Sequence, residues 1–395
     1  MQSTRVVDYR EFLKAPPLCG AFSLPVRYNA LVSFNRYLLT GFLAATLFLA
    51  GFYLGHFLDL GENSPLLSPF STNEETVKPL LQYTIPNLIQ RRYVPSAVIV
   101  NVVLEEAPTY TSYLFSYTTT EKRMTGQLNV PNVLIENPDA PAAPVIVMLR
   151  GFALEETYTT GVGTKNAAAV LAQNGYVTLA PDFFGFGESD PEPTDVWEAR
   201  FIKPINVVEL ITTLRATPTL QLPLPSLATI QLDTNKLGIW AHSNGGQIAL
   251  TTLEIFGEPI PTTLWAPVTV PFPYSILFYT DENDDEGKEA RAWIGLFERD
   301  YNAQEFSITH YLNRLTGPIQ LHHGIADEAA LVTWSDEFID KIEVENTRRT
   351  ESEEIELPLI DVTYFTYPGA DHNLQPSWNT VIQRDLEFFN TYLTE

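Results

Sequence analysis

The sequence predicts an α/β fold: a mostly parallel, doubly wound sheet with antiparallel leading strands, preceded by one transmembrane helix. Three observations predict it. From Pro144 onward, short runs of Val, Ile and Leu alternate with helical stretches. Before them lie three β-branched and aromatic runs with turn residues between them. Near the N-terminus lies a 22-residue apolar run free of Asp, Glu, Lys and Arg.

That run, "YLLTGFLAATLFLAGFYLGHFL", covers residues 37–58. At 1.5 Å per residue it reaches roughly 33 Å, enough to cross a hydrocarbon layer. Residues 1–36 carry a charge balance of +3 and residues 59–80 one of -3. Positive residues stay on the cytoplasmic side. The expectation is a cell-membrane protein with a cytoplasmic tail (1–36), a single-pass signal anchor (37–58), a linker (59–80) and an extracytoplasmic domain (81–395). A cleaved signal peptide and a buried globular helix are the competing readings of the run. "LGENSPLLSPFSTNEETVKP", rich in Ser, Pro, Asn and Glu, reads as the linker.

"AVIVNVVLEEA", "TSYLFSYTTT" and "RMTGQLNVP" predict an antiparallel meander of three strands. "PVIVMLRG", "YVTLAPDF", "KLGIWAHS", "TTLWAPV", "PIQLHHG" and "DVTYFTYPG" follow as buried strands. Between several of them lie "TKNAAAVLAQNG", "ARFIKPINVVELITTLRAT", "GGQIALTTLEIF", "VTWSDEFIDKIEVE" and "SWNTVIQRDLEFFNTYL" as helices. Continuous apolar strands alternating with amphipathic helices give a parallel sheet covered on both faces. The aromatic stretch 270–315 interrupts the alternation and is expected to form a lid over the carboxyl edge of the sheet.

Bulk composition narrows the function. A net charge of -24 argues against nucleic acid as a partner. Cys19 is the only cysteine, which excludes an intrachain disulfide and a cysteine-based metal site. The acidic stretch Thr280–Arg291 lacks the spacing of an EF-hand loop and reads as a solvated loop.

In open parallel sheets the active site lies beyond the strand carboxyl ends. Three reactive residues stand there in the order Ser243, Asp327, His372, spaced by 84 and 45 residues. A serine hydroxyl needs a base to take its proton, which His372 can be. Asp327 can fix the imidazole tautomer and stabilise the imidazolium. Alone, Ser243 reads as a helix cap, Asp327 as a cap of a helix at "EAALVTW" and His372 as structural. Their joint order and placement point to a catalytic triad. A strand-to-helix turn that presents Ser243 requires small residues two before and two after it, here Ala241 and Gly245. The backbone N–H of Asn244 and that of Phe152 are the expected oxyanion donors. Arg150 and His242 are candidate lining residues of a substrate pocket, with a structural role as the alternative for each. Asp371, His322 and His323 are weaker candidates. The chemistry requires no metal or organic cofactor.

The motifs "APVIVMLRGF", "APDFFGFGESD", "GIWAHSNGGQIAL", "PIQLHHGIADEAALV" and "YPGADHNL" resemble, in order, those of the prolyl oligopeptidase catalytic domain and its esterase relatives. The resemblance spans residues 110–395 and implies an α/β-hydrolase fold and a serine hydrolase. It places Ser243, Asp327 and His372 in the triad. The chain departs from that family at Ala241 and at Arg150-Gly151-Phe152, where glycine and a His-Gly-Gly type sequence are usual. It also has too few residues before the leading strands for the family's β-propeller. Small peptides and esters are therefore both candidate substrates, and a catalytically silent binding protein is the alternative from another class.

Overall fold

A computed structural model describes residues 78–137, 139–280, 285–352 and 357–394. The chain divides into Met1–Lys78 and Pro79–Glu395. The tail, the apolar run 37–58 and nearly all of the linker lie outside the described residues. No helix among the described residues is long and apolar enough to cross a membrane.

The β-branched and aromatic runs build the leading meander β1 (Ile99–Glu106), β2 (Tyr110–Thr119) and β3 (Lys122–Pro131), paired antiparallel as predicted. The following strands are β4 (Ala143–Leu149), β5 (Val177–Pro181), the short β6 (Thr219–Gln221), β7 (Thr229–His242), β8 (Thr262–Trp265), β9 (Ile319–Gly324) and β10 (Val362–Tyr367). The main sheet runs β1-β2-β3-β5-β4-β7-β8-β9-β10 and is parallel from β5 to β10. β6 forms a small antiparallel hairpin with the start of β7, which the sequence pattern did not announce.

Helices are α1 (Ile85–Gln90), α2 (Asn132–Glu136), α3 (Lys165–Gln173), α4 (Val196–Phe201), α5 (Lys203–Ala216), α6 (Asn244–Phe256), α7 (Tyr274–Thr280), α8 (Lys288–Asp300), α9 (Val332–Glu351) and α10 (Trp378–Leu393). The helix expected over "ARFIKPINVVELITTLRAT" is two, α4 and α5. Pro204 sits in the first turn of α5, where its missing N–H costs nothing, and could not sit mid-helix.

Side chains alternate across the strands, so β4 feeds two cores. Val145, Val147 and Leu149 pack with Ile205, Leu210, Ile248 and Phe338 from α5, α6 and α9. Ile146 and Met148 pack with Leu171 of α3 and with Val381 and Phe389 of α10. The second core encloses a polar hub. Buried Asp385 of α10 accepts from Trp240 Nε1 (3.1 Å) and Trp265 Nε1 (2.7 Å) at one carboxylate oxygen. At the other it meets Gln320 Nε2 (3.2 Å) and His322 Nε2 (3.1 Å). His322 is thereby committed to tying α10 to the sheet.

Glu254 of α6 breaks the usual rule for buried polar groups. It is fully buried, and neither carboxylate oxygen has a hydrogen-bond partner. Burial pushes its carboxyl well above the ordinary 4.5, and the charge of Arg314 offsets only part of this. A raised folded pKa means stability is greatest below the unfolded value and falls as pH rises toward the folded one. Glu254→Leu is therefore expected to stabilise the protein by roughly 1–3 kcal/mol, more at pH 8 than at pH 5. Thermal melts at both pH values check this; equal shifts would show that Glu254 titrates normally.

Candidate active site

β7 ends at His242, and α6 begins at Asn244. Ser243, between them, adopts φ 56° and ψ -123°, a conformation that L side chains avoid and that turns the chain sharply from strand to helix. Three backbone bonds hold it. Its N–H donates to Trp265 O (2.9 Å), and its carbonyl accepts from Gly246 N (2.9 Å) and Val268 N (3.0 Å). The hydroxyl does not cap α6. The capping role that the sequence left open for Ser243 is thus not the one it plays.

The turn tolerates little bulk. A Cβ at Gly245 would come within 2.2 Å of Leu149 O, and one at Gly246 within 2.5 Å of Pro267 Cβ. Ala241 fits because its methyl is absorbed in the sheet core, opposite Leu149 and Leu264. At the end of β4 a Cβ on Gly151 would lie 2.7 Å from Ser243 Cβ and 3.2 Å from its Oγ. Glycine is therefore required there for the loop to approach the serine. Phe152, next in the chain, is 43% exposed. Asn244 is the first residue of α6, so its N–H has no acceptor within the helix. The positive end of that helix dipole faces the serine.

Asp327 lies in the turn after β9 and is buried. One carboxylate oxygen accepts from Ala329 N (2.8 Å) and Ala330 N (2.9 Å). The other meets His372 Nδ1 at 2.8 Å and His323 Nε2 at 3.3 Å. Burial alone would raise this carboxyl, but hydrogen bonds from His323 and His372 outweigh it and hold it well below the usual carboxylate range. With Nδ1–H donated to Asp327, His372 Nε2 keeps a free lone pair. Asp371 does not compete, because its side chain accepts from Asn373 N and Gln375 N and shapes the loop that presents His372.

His242 links the two halves. Its Nε2 donates to the His372 carbonyl at 2.9 Å, and the two rings lie 4.8 Å apart. Burial, reinforced by the charge of His372, lowers its pKa to about 4. It is a neutral clamp between nucleophile strand and base loop.

Arg150, expected at the substrate pocket, is placed otherwise. It is 6% exposed. Its guanidinium donates to Gly151 O (2.9 Å) and Asp182 O (2.6 Å) and stacks near Tyr158, Phe183 and Phe186. The Asp182 side chain is itself held by Tyr158, Thr125 and Thr160 hydroxyls. Arg150 thus braces the loop that carries Gly151 and Phe152.

Solved structures with this arrangement of strands and helices include an acetyl xylan esterase from Thermoanaerobacterium sp., with TM-score 0.52, 12% identity, and coverage of 79% of this chain and 94% of that one. An acetyl xylan esterase from Paenibacillus sp. R4 matches with TM-score 0.52, 14% identity, and 78% and 92% coverage. The chain has the α/β-hydrolase fold. A dipeptidyl aminopeptidase IV candidate from Bacteroides ovatus matches with TM-score 0.51, 15% identity and 73% of this chain, which spans 37% of that one. No protein-family model and no curated protein matches the sequence.

The described parts of the segment 270–315, residues 270–280 and 285–315, pack against helices from elsewhere in the chain. Trp197 of α4 stacks on Trp293 of α8 at 3.7 Å and meets Phe272 at 5.6 Å. Phe201 of α4 meets Phe306 at 4.6 Å. At its other end α7 sets Phe278 against Trp334, 4.8 Å away, just beyond the acid turn. Among the described residues, no cluster of three or more His, Cys, Asp or Glu side chains is placed to hold a metal ion. Sequence reading missed the support given by His323. The pair His323 and Asp327, four apart across a strand end, was the available signal.

Proposed function

We propose that the chain is a serine hydrolase of carboxylic esters, anchored by residues 37–58 with its catalytic domain outside the cytoplasmic membrane. The observation that carries this reading is the Asp327–His372 pair, 2.8 Å apart, at the same sheet edge as a serine in the strained nucleophile turn. In the proposed mechanism Ser243 Oγ attacks the ester carbonyl while its proton passes to His372 Nε2. Asp327 stabilises the imidazolium. The Asn244 and Phe152 N–H groups receive the oxyanion. Collapse expels the alcohol, which takes the proton from His372 and leaves Ser243 acylated. Water then attacks the acyl carbonyl while His372 takes its proton; collapse breaks the acyl–Oγ bond, His372 returns the proton to Ser243 Oγ, and the acid is released.

Esters are favoured over peptides by architecture. The acetyl xylan esterases that this chain resembles are covered almost end to end, at 94% and 92%, whereas the dipeptidyl aminopeptidase IV candidate is covered over 37% of its length. The requirement for glycine at position 151, where any Cβ would crowd the Ser243 hydroxyl, speaks against a silent binding protein.

A membrane-impermeant fluorophosphonate applied to intact cells is expected to label the protein, with the adduct mapping to Ser243. The purified chain is expected to cleave 4-nitrophenyl esters and to leave aminoacyl-4-nitroanilides largely intact. Cleavage of the anilides at comparable rates would favour the peptidase reading. Absence of labelling in both settings would favour the silent one.

A further inference from the structure

A cationic residue of α4, Arg200, lies against the first turns of α6, the helix that follows Ser243. Arg200 is half-buried. Its Nη2 donates to Gln247 Oε1 (3.1 Å) and Ser275 Oγ (3.2 Å), and its guanidinium lies 5.8 Å from the Phe272 ring. Both acceptors are neutral. Among the described residues no carboxylate pairs with it, although the chain carries twice as many acidic as basic side chains, 48 against 24. Burial lowers its pKa to about 10. A half-buried guanidinium with no counter-charge among the described residues is costly to the fold and marks a candidate functional charge.

Two further cations lie nearby, each with a carboxylate facing it. Lys203, at the start of α5, has a lowered pKa, first from burial, with the charges of Arg150 and Arg200 adding to the effect. The carboxylate facing Lys203 is Glu192, 3.2 Å away. Arg150 faces the raised carboxyl of Asp182, and Tyr279 is the polar group of α7 that acts on Arg200.

Gln247 lies one helical turn past Asn244 on α6, so Arg200 sits beside the first turn of the helix that faces the oxyanion. The roof over it is α7, which contributes Ser275 here and Phe278 against Trp334 beyond the acid turn. The strand order gives the side. His372 comes from the β10 loop, whereas α4 follows β5, and the two strands flank β7 from opposite directions. The leaving alcohol must depart toward His372 to collect its proton, so Arg200 faces the acyl portion.

We propose that Arg200, with Lys203 behind it, recognises a carboxylate on the acyl portion of the substrate, so that the preferred substrates are esters of dicarboxylic or otherwise acidic acyl groups. This rests on the serine-hydrolase reading above.

The test compares the mono-4-nitrophenyl ester of adipic acid with 4-nitrophenyl hexanoate, of equal chain length, on the full-length protein. The wild type is expected to favour the anionic ester in kcat/KM. Arg200→Gln is expected to lower that preference by about 10–100-fold, mainly through KM, the range for a charge-assisted hydrogen bond. Arg200→Lys is expected to keep part of it. Raising the salt concentration is expected to raise the wild-type KM for the anionic ester alone, a readout that needs no variant to fold. A wild type with no anionic preference, an equal loss on both esters in Arg200→Gln, or a parallel salt response would each overturn the proposal. Fluorophosphonate labelling separates the two levels. A labelled chain without anionic preference refutes the subsite alone, and an unlabelled chain refutes the hydrolase reading beneath it.

Discussion

Ser243→Ala is expected to lower ester turnover by about a millionfold, the loss seen when a serine protease is stripped of its nucleophile, and to abolish fluorophosphonate labelling. The structure predicts that this loss is purely chemical. The Ser243 backbone is fixed by bonds to Trp265, Gly246 and Val268 that do not involve its hydroxyl. That hydroxyl caps no helix. The methyl of alanine keeps the Cβ that already stands against Gly151 and adds no atom. Melting temperature should therefore change by no more than the equivalent of about 0.5 kcal/mol, as for substitutions that touch no structural device. Ser243→Gly offers an internal control. It should be equally inactive and about 1 kcal/mol more stable, because glycine relieves the strain of a positive φ. Residual turnover within a hundredfold of wild type in either variant would place the nucleophile elsewhere.

Asp327→Asn is expected to cost about 10⁴ in kcat with little change in fold. The reasoning follows the carboxylate oxygen by oxygen. One oxygen accepts two backbone N–H groups, from Ala329 and Ala330. In the variant that place must go to the amide oxygen, because an amide NH2 cannot accept. The NH2 is then forced toward His372 and His323. It cannot accept from His372 Nδ1–H, so the imidazole takes the other tautomer, with its proton on Nε2 and no lone pair for Ser243. The same NH2 would oppose the N–H of His323, which already donates to Ala330 O at 2.8 Å. Steady-state kinetics and the rate of fluorophosphonate labelling should fall together while KM changes little. A loss under tenfold would show that His372 finds its tautomer without Asp327. Because Asp327 is held well below the usual carboxylate range, its own protonation should not limit activity in mildly acidic solution.

Most of the fold could be read from hydrophobic period. Each of the six apolar runs became a parallel strand; burial of continuous Val, Ile and Leu on both faces explains the central ones, whereas β10 at the sheet edge is mostly half-buried or exposed. The three leading runs paired as expected. Where reading failed, the cause was tertiary. β6 is three residues long, too short to show a period, and exists through its pairing with β7. The aromatic segment 270–315 has no strand rhythm, since its helices are held by Trp197 and Phe201 from another part of the chain. At the site, residue types and chain order sufficed to nominate Ser243, Asp327 and His372. The roles of the neighbours were not legible. Whether Arg150 faces substrate or braces a loop depends on Asp182, 32 residues away in sequence. The His242 contact crosses 130 residues, and nothing local to "WAHSNGG" announces the His372 carbonyl it meets.

The hub at Asp385 has a practical consequence. Trp240 and Trp265, two of six tryptophans in the chain, donate their indole N–H groups to the same carboxylate oxygen. One indole is three residues before the nucleophile, and the other is on the strand that hydrogen-bonds it. Their emission is a built-in optical gauge of whether the C-terminal helix is seated beneath the catalytic edge. It allows the integrity of that edge to be followed without dye, label or substrate, in variants whose chemistry has been removed.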